Sequence, residues 1–250
     1  MRRTYRYIIS ILFVQVLWLP IASAQDTITV PLNIKVGIEA SGPVMYLTDK
    51  NILNTEAYFS FDLNEKYSPA INAGFLNYRY SQYNYDYTNK GAFLRIGTDV
   101  NLLKPDKSQG KYWAGLGLRY GLSLFNSEVP SFVQENYWGT VTSFVPRQTS
   151  WGHFLEVSPG VRAEIFKNIS IGWTVSMRML LYTGTGKDLR PIYFPGYGNG
   201  EKNVTAGINY FLVWNIPFKK IKVIIQPEPP EETEETTGKT PVQQNTGIRQ

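Results

Sequence analysis

The chain has 250 residues, a formal charge of +5, one histidine and no cysteine. Without cysteine there are no disulfides, no thiolate metal sites and no lipid-modified N-terminal cysteine. Three of its arginines, Arg2, Arg3 and Arg6, sit at the very start, leaving about +2 on the rest and no basic stripe able to track phosphates, which excludes nucleic acid as an expected partner.

Those arginines precede an apolar run from Ile8 to Leu19, then Pro20 and the small-residue site Ala22-Ser23-Ala24. A positive start, a short apolar stretch and an A-x-A-like site predict a signal peptide over 1–24. The run is shorter than the roughly 20 residues a membrane-spanning helix needs, and no later segment has such a run. Residues 25–32 read as a short N-terminal lead.

From Asn33 onward the pattern is period two. Asn33 to Ser41 sets Ile34, Val36 and Ile38 against Lys35, Gly37 and Glu39, and Thr55 to Leu63 sets Ala57, Phe59 and Phe61 against Glu56, Tyr58, Ser60 and Asp62. Pro69 to Gln82 forms a third strand in which Ile71, Ala73 and Phe75 give way to Leu76, Tyr78 and Tyr80. That change of phase predicts a β-bulge near Phe75. Gly91 to Leu103 places Leu94 and Ile96 opposite Arg95, Gly97 and Asp99. In Lys111 to Leu124, Tyr112, Ala114, Leu116, Leu118, Tyr120, Leu122 and Leu124 oppose Trp113, Gly115, Gly117, Arg119, Gly121 and Ser123. Thr149 to Phe166, Ile169 to Tyr182 and Asn203 to Phe218 complete the set. Pro159 predicts a bulge or a locally broken ladder, because a barrel has no free edge to accommodate a proline.

Each strand has one apolar face and one small or polar face, a pattern suited to a wall between lipid and a polar interior. Long connections follow the first, fifth and seventh strands, Phe125 to Gln148 being the longest, and a medium one follows the third. Short ones follow the second, fourth and sixth, as in outer-membrane barrels with short periplasmic turns and long outer loops. The predicted fold is all-β: an eight-stranded antiparallel up-and-down transmembrane β-barrel over 33–218, in the outer membrane with both termini periplasmic. The Pro-, Glu- and Thr-rich remainder, 219–250, reads as a disordered periplasmic tail.

An eight-stranded interior is narrow enough for side chains to fill. The predicted inward cations are Lys35, Arg79, Arg95, Arg119, Arg162 and Arg178, and the anions are Glu39, Asp62, Asp99, Glu156 and Glu164. Charges withdrawn from water persist chiefly when paired, so the expectation is a lumen plugged by ion pairs. A narrow small-solute channel is the rival reading, because the same residues can line water.

The leader, the eight alternating strands and the loop rhythm resemble the small outer-membrane β-barrels of the OmpA/OmpX type. The segment Tyr193-Phe-Pro-Gly-Tyr-Gly-Asn-Gly-Glu-Lys202, with Lys-Val-Gly-Ile-Glu beginning at Lys35, resembles a barrel family of Bacteroidetes-type bacteria. The resemblance covers roughly Asn33 to Phe218. It implies location and fold, with outer-membrane lipids, lipopolysaccharide and the barrel-assembly machinery as partners, and supplies no catalytic residues. Many such barrels end on an aromatic residue, whereas here a tail follows Phe218.

No catalytic, cofactor or metal site is predicted. His153 lies near Ser150 and Glu156, a composition suggestive of lipid-modifying barrels, but alternation puts His153 with Trp151 and Leu155 and turns Glu156 away. Gly184-Thr-Gly-Lys187 lacks the spacing and the helix of a phosphate loop. A soluble periplasmic barrel would need the apolar rows turned inward. The loop aromatics Tyr83, Tyr85, Tyr87, Tyr137, Trp138, Tyr193, Phe194 and Tyr197 are candidates for contact with a surface glycan or protein ligand, the alternative being that they pack the loops.

Overall fold

The computed structural model describes residues 27–184 and 191–225. The leader at 1–24 and the tail beyond Ile225 lie outside the described residues.

Eight long strands run β1 (Thr27–Glu39), β2 (Ile52–Phe61), β3 (Tyr67–Gln82), β4 (Tyr85–Asn101), β5 (Tyr112–Asn136), β6 (Gly139–Phe166), β7 (Ile169–Thr183) and β10 (Val204–Ile224). Each pairs antiparallel with its neighbours in the order β1-β10-β7-β6-β5-β4-β3-β2, which closes into a barrel. A two-residue ladder, β8 (Tyr193–Phe194) with β9 (Gly198–Asn199), lies between β7 and β10. The short helices among the described residues are α1 (Ser41–Thr48) and α2 (Pro105–Ser108). The end holding Thr27 and Ile224, which pair with each other, is called the terminal end, and the opposite end the distal end.

Burial follows the alternation. In β5, Trp113, Gly115, Gly117, Arg119, Gly121, Ser123 and Phe125 are buried, while Leu118, Tyr120, Leu122 and Leu124 are exposed. The core is therefore the lumen. The small residues of this face leave room for neighbouring side chains: a Cβ on Gly121 would lie 2.3 Å from the ring of Phe154.

Four features differ from the sequence expectation. The register of β3 against β2 and β4 runs unbroken through Phe75, so there is no bulge there. The phase of β3 stays constant, and Leu76 and Tyr78 point inward because the distal lumen is apolar. Second, Phe125 to Gln148 is a hairpin extending β5 and β6, turning at Tyr137-Trp138. Its prolines coincide with lapses in the ladder: the register shifts twice between Ser127 and Phe132, around Pro130, and Pro146 faces the same irregular stretch. Bulges are where strands tolerate proline. Third, the barrel strands start at Thr27 and end at Ile224, so part of the lead and of the tail belongs to the wall. Fourth, the β1–β2 connection contains α1.

At Pro159 the pairing with β7 lapses over Ser158 and Pro159 with the same register on both sides, while Pro159 stays opposite Leu116 of β5. The ladder breaks locally, without a bulge.

Candidate functional site

Inward residues of six strands meet in the middle of the lumen. Arg95 (β4) pairs with both Glu56 (β2) and Glu156 (β6). Arg178 (β7) donates from Nε to Glu156 Oε2 at 2.7 Å, and Arg119 (β5) lies 3.7 Å from Glu156 Oε1. One carboxylate thus serves three guanidinium groups. Arg119 also donates from Nη2 to Asp99 Oδ1 at 2.6 Å, from Nη1 to Ser158 Oγ at 2.6 Å and from Nε to Asn72 Oδ1 at 2.9 Å. Asn72 in turn donates to Glu56 Oε1 at 2.6 Å.

Toward the terminal end, Tyr58 donates to Asp99 Oδ2 at 2.8 Å, and Arg162 lies over the rings of Tyr58 and Trp113 with Nη2 3.8 Å from Asp99. Lys35 Nζ lies 2.5 Å from Asp62 Oδ1, which also accepts from Ser68 Oγ at 2.6 Å; Asp62 Oδ2 accepts from Asn33 N at 2.9 Å. Buried ions persist when paired and hydrogen-bonded at this density, since losing one partner strands the other's charge away from water.

The structure gathers Lys35, Asp62, Arg95, Asp99, Arg119, Glu156, Arg162 and Arg178 of the predicted charge set. Three others stand elsewhere. Arg79 is exposed on the outer face of β3, because the strand has no bulge to turn it inward. Glu164 is partly exposed and accepts from Asn168 N at 3.1 Å, in the β6–β7 turn. Glu39 is buried without an ion pair among the described residues; its carboxylate accepts from Ser41 N at 2.9 Å and Gly42 N at 2.8 Å. Glu56 belongs to the network and was legible from its place on the same face of β2 as Asp62.

The distal lumen is filled differently. Residues 191–202, the described part of the β7–β10 connection, fold back into the mouth. Phe194 and Tyr197 are 1% and 0% exposed and pack on Phe125 and Phe154, with ring centroids 5.0 to 6.0 Å apart. Polar contacts tie the insert down: Asn89 Nδ2 donates to the Tyr193 carbonyl at 2.5 Å, and the Tyr197 carbonyl accepts from Thr205 Oγ1 at 2.8 Å and Arg178 Nη1 at 3.3 Å. Tyr78 stacks on Tyr193 at 5.3 Å. Burial pushes the Tyr197 hydroxyl above its ordinary pKa, and the hydroxyl donates to the Lys202 carbonyl at 2.6 Å.

This corrects the surface role expected of several aromatics. Phe194, Tyr197 and Tyr87 are buried, and Tyr193 and Tyr85 are partly buried among tyrosines. Tyr83, Tyr137 and Trp138 are exposed to 103%, 92% and 89% at the tips of the β3–β4 and β5–β6 hairpins.

Apart from a cavity of about 650 Å³ at the distal parts of β10 and β2, the gaps that remain in the lumen are small. Cavities of about 40 Å³ beside Lys35 and Asp62, about 20 Å³ among Glu56, Arg95 and Arg119, and about 30 Å³ under Tyr193 and Gly196 have room for one or a few waters each. Among the described residues no group of His, Asp or Glu is arranged to hold a metal ion. His153 stacks on Trp151 at 5.8 Å and contacts Tyr120 and Tyr182 on the outer face, whereas Ser150 and Glu156 are buried inside.

The fold and the filled interior define a small closed up-and-down β-barrel with an apolar exterior. The chain belongs to the family described as "Domain of unknown function (DUF6048)", whose model matches residues 4–221. No curated protein matches it. Among solved structures it is similar to Ail, the attachment invasion locus protein of Yersinia pestis, at 7% identity over 79% of this chain and 99% of that one, with a TM-score of 0.37. It is also similar to Neisserial surface protein A, at 15% identity over 78% and 100%, TM-score 0.35. A third is the N-terminal β-barrel domain of Pseudomonas aeruginosa OprF, at 10% identity over 77% and 98%, TM-score 0.32.

Proposed function

We propose that the protein is an outer-membrane β-barrel with a closed lumen, whose role is structural or surface-binding and is carried by its distal hairpins. The observation that carries this reading is the inverted polarity of the wall. Arginines and carboxylates point inward, while Val36, Phe59, Ile96, Leu122, Val175 and Leu212 point outward and are exposed. Exposed apolar area on this scale is unstable in water and matches a hydrocarbon band about 25 Å tall. From Tyr112 to Leu124 the wall runs roughly 40 Å along the strand, or roughly 30 Å along the barrel axis at a tilt near 40°. Tyr112 ends this stretch on one side, and Trp151, opposite Leu124, ends it on the other. Aromatic residues favour such interfaces.

Outer-membrane lipids and lipopolysaccharide are then the immediate surroundings, reached through the barrel-assembly machinery, and a Bacteroidetes-type origin is part of the same reading. With the termini periplasmic, the β5–β6 hairpin extends outward by roughly 35–40 Å beyond Phe125. It carries Tyr137 and Trp138 at its tip and exposed Val141 and Phe144 along its side. A surface glycan or protein is the ligand class that this arm fits. We assign no catalysis, and the ion-paired middle of the lumen, with cavities of only about 20 and 40 Å³, supports a closed rather than a conducting interior.

The test is the gel migration of membrane-extracted protein with and without boiling, together with cell fractionation. An outer-membrane location and a mobility shift on boiling are expected, because a barrel closed along β1 and β10 leaves at most a short length of strand edge to detergent. Soluble protein in the periplasm without a shift would overturn the reading.

A further inference from the structure

The seam between the first and last strands is sealed along only part of its length. β1 pairs with β10 from Thr27 opposite Ile224 as far as Glu39 opposite Phe211, with a last bond from Ala40 N to Tyr210 O at 2.8 Å. There the chain turns into α1. β10 continues to Val204, paired on its other side with β7, and β2 continues to Ile52, paired with β3. β1 meets β2 only as far as Ile38 opposite Ala57. Between the distal parts of β10 and β2 there is thus no strand.

Glu39 creates this ending. Its carboxylate accepts from the backbone of Ser41 and Gly42 and, at 3.5 Å, from Tyr210 N, so a side chain takes the place of the next ladder step. Gly42 allows the turn to press on β2, since a Cβ there would lie 1.8 Å from the Asn54 carbonyl oxygen.

A cavity of about 650 Å³ occupies the opening. That is within the roughly 300–1,000 Å³ range of small-molecule sites. Its lining comes from both faces of the wall: Met177 and Ile208 from the outer face, Thr205 and Asn209 from the buried inner face. An unbroken wall keeps those faces apart, so the cavity passes around the bare edge of β10. Met45 of α1 and Ile52 of β2 line its far side, and Val44, Met45 and Leu47 leave α1 apolar and exposed beside it.

The chemistry of the lining is one-sided. Among the described residues no aspartate or glutamate contributes, whereas Lys202 and Arg178 do. Arg178 is already held by Glu156, Asn209 and the Tyr197 carbonyl, which leaves Lys202 at the rim as the cation to meet a headgroup. Asn54 Oδ1 is buried without a hydrogen-bond partner in the same lining, an acceptor waiting for a donor. Gly207 adds no side chain, and a Cβ there would meet nothing nearer than Arg178 Nη1 at 3.4 Å.

We propose that this lateral opening between β10 and α1–β2 binds the acyl chain of an anionic amphiphile that enters from the surrounding bilayer. The chain lies against Met45, Ile52, Met177 and Ile208, and the headgroup meets Lys202. The inference rests on the membrane reading above, and its test is arranged to fail separately from that reading.

The test uses the purified full chain in detergent with spin-labelled stearate, followed by electron paramagnetic resonance. An immobilised component saturating near one per barrel is expected. Gly207→Phe, which fills the opening, should weaken it about tenfold or more. Lys202→Gln should weaken the stearate anion by up to about fivefold and leave its methyl ester unchanged. Every sample must retain the boiling-dependent gel shift; if Gly207→Phe does not, Ala206→Trp fills the site from the outer face. No immobilised component in a shifting barrel, or equal immobilisation in the filled variant, would overturn the proposal. Equal binding of anion and ester would overturn its anionic part. Loss of the gel shift in the unmodified protein would strike the membrane reading instead.

Discussion

The two halves of the lumen solve one problem in two ways. In the middle and terminal parts, the interior is filled by charged side chains that the strands themselves bring in, each anion facing one to three cations. At the distal end the strands contribute Phe125 and Phe154, and the remaining space is closed by a loop that inserts Phe194 and Tyr197. Strand-borne charges are fixed by alternation and cannot leave without breaking the wall. The loop is held by packing and a few hydrogen bonds, and can be weakened without opening the barrel beneath it. The difference separates what holds the barrel from what caps it.

The largest effect should follow loss of the shared carboxylate. Glu156→Ala strands Arg95, Arg119 and Arg178 in a buried site, and urea unfolding of the reconstituted barrel should register a loss of roughly 3–5 kcal/mol. On the other side of the comparison, Phe194→Ala should cost about 3 kcal/mol by cavity formation and leave planar bilayers as non-conducting as before, because the charge network lies beneath. Conductance in this variant would place the seal in the cap. A smaller effect is expected of Gly196→Ala. Gly196 has φ +73°, and its Cβ would lie 2.5 Å from Phe93 Cγ, so a loss of about 1–2 kcal/mol should appear in the same titration. Trp138→Ser, at the exposed tip, should change stability by less than about 0.5 kcal/mol while reducing adhesion of barrel-bearing vesicles to ligand-coated surfaces.

The same contrast explains what could be read from residues alone. Where a strand alternates against one environment, as β5 does from Tyr112 to Leu124, faces and neighbours follow from period two, and the charges Arg95, Arg119 and Glu156 fall on the inner face. Where the environment changes along the strand, pattern misleads. Leu76 and Tyr78 read as a phase slip if an apolar residue means the outer face, yet the aromatic cap makes the distal lumen apolar as well. The same slip would turn Arg79 inward, whereas it stands on the outer face. The hairpin extending from Phe125 was hidden by Pro130 and Pro146, which usually mark loops and here sit at lapses in the ladder. Its Val-Thr-Ser-Phe-Val stretch, 141–145, carried the β-propensity that pointed the other way. The inward fold of 191–202 and the early end of β1 depend on contacts far apart in sequence, such as Asn89 with Tyr193 and Glu39 with Tyr210, and no local pattern encodes them.

The inverted polarity of the wall is tested most directly by tryptophan fluorescence in bilayers with brominated acyl chains. Trp173 and Trp214 are exposed on the outer face, at 46% and 58%, whereas Trp113 is buried inside the lumen at 8%. Variants that each keep one of these three, with the other tryptophans changed to phenylalanine, separate the two faces. The account predicts strong quenching of Trp173 and Trp214 and little of Trp113. Quenching of Trp113 with Trp173 and Trp214 unaffected would contradict it.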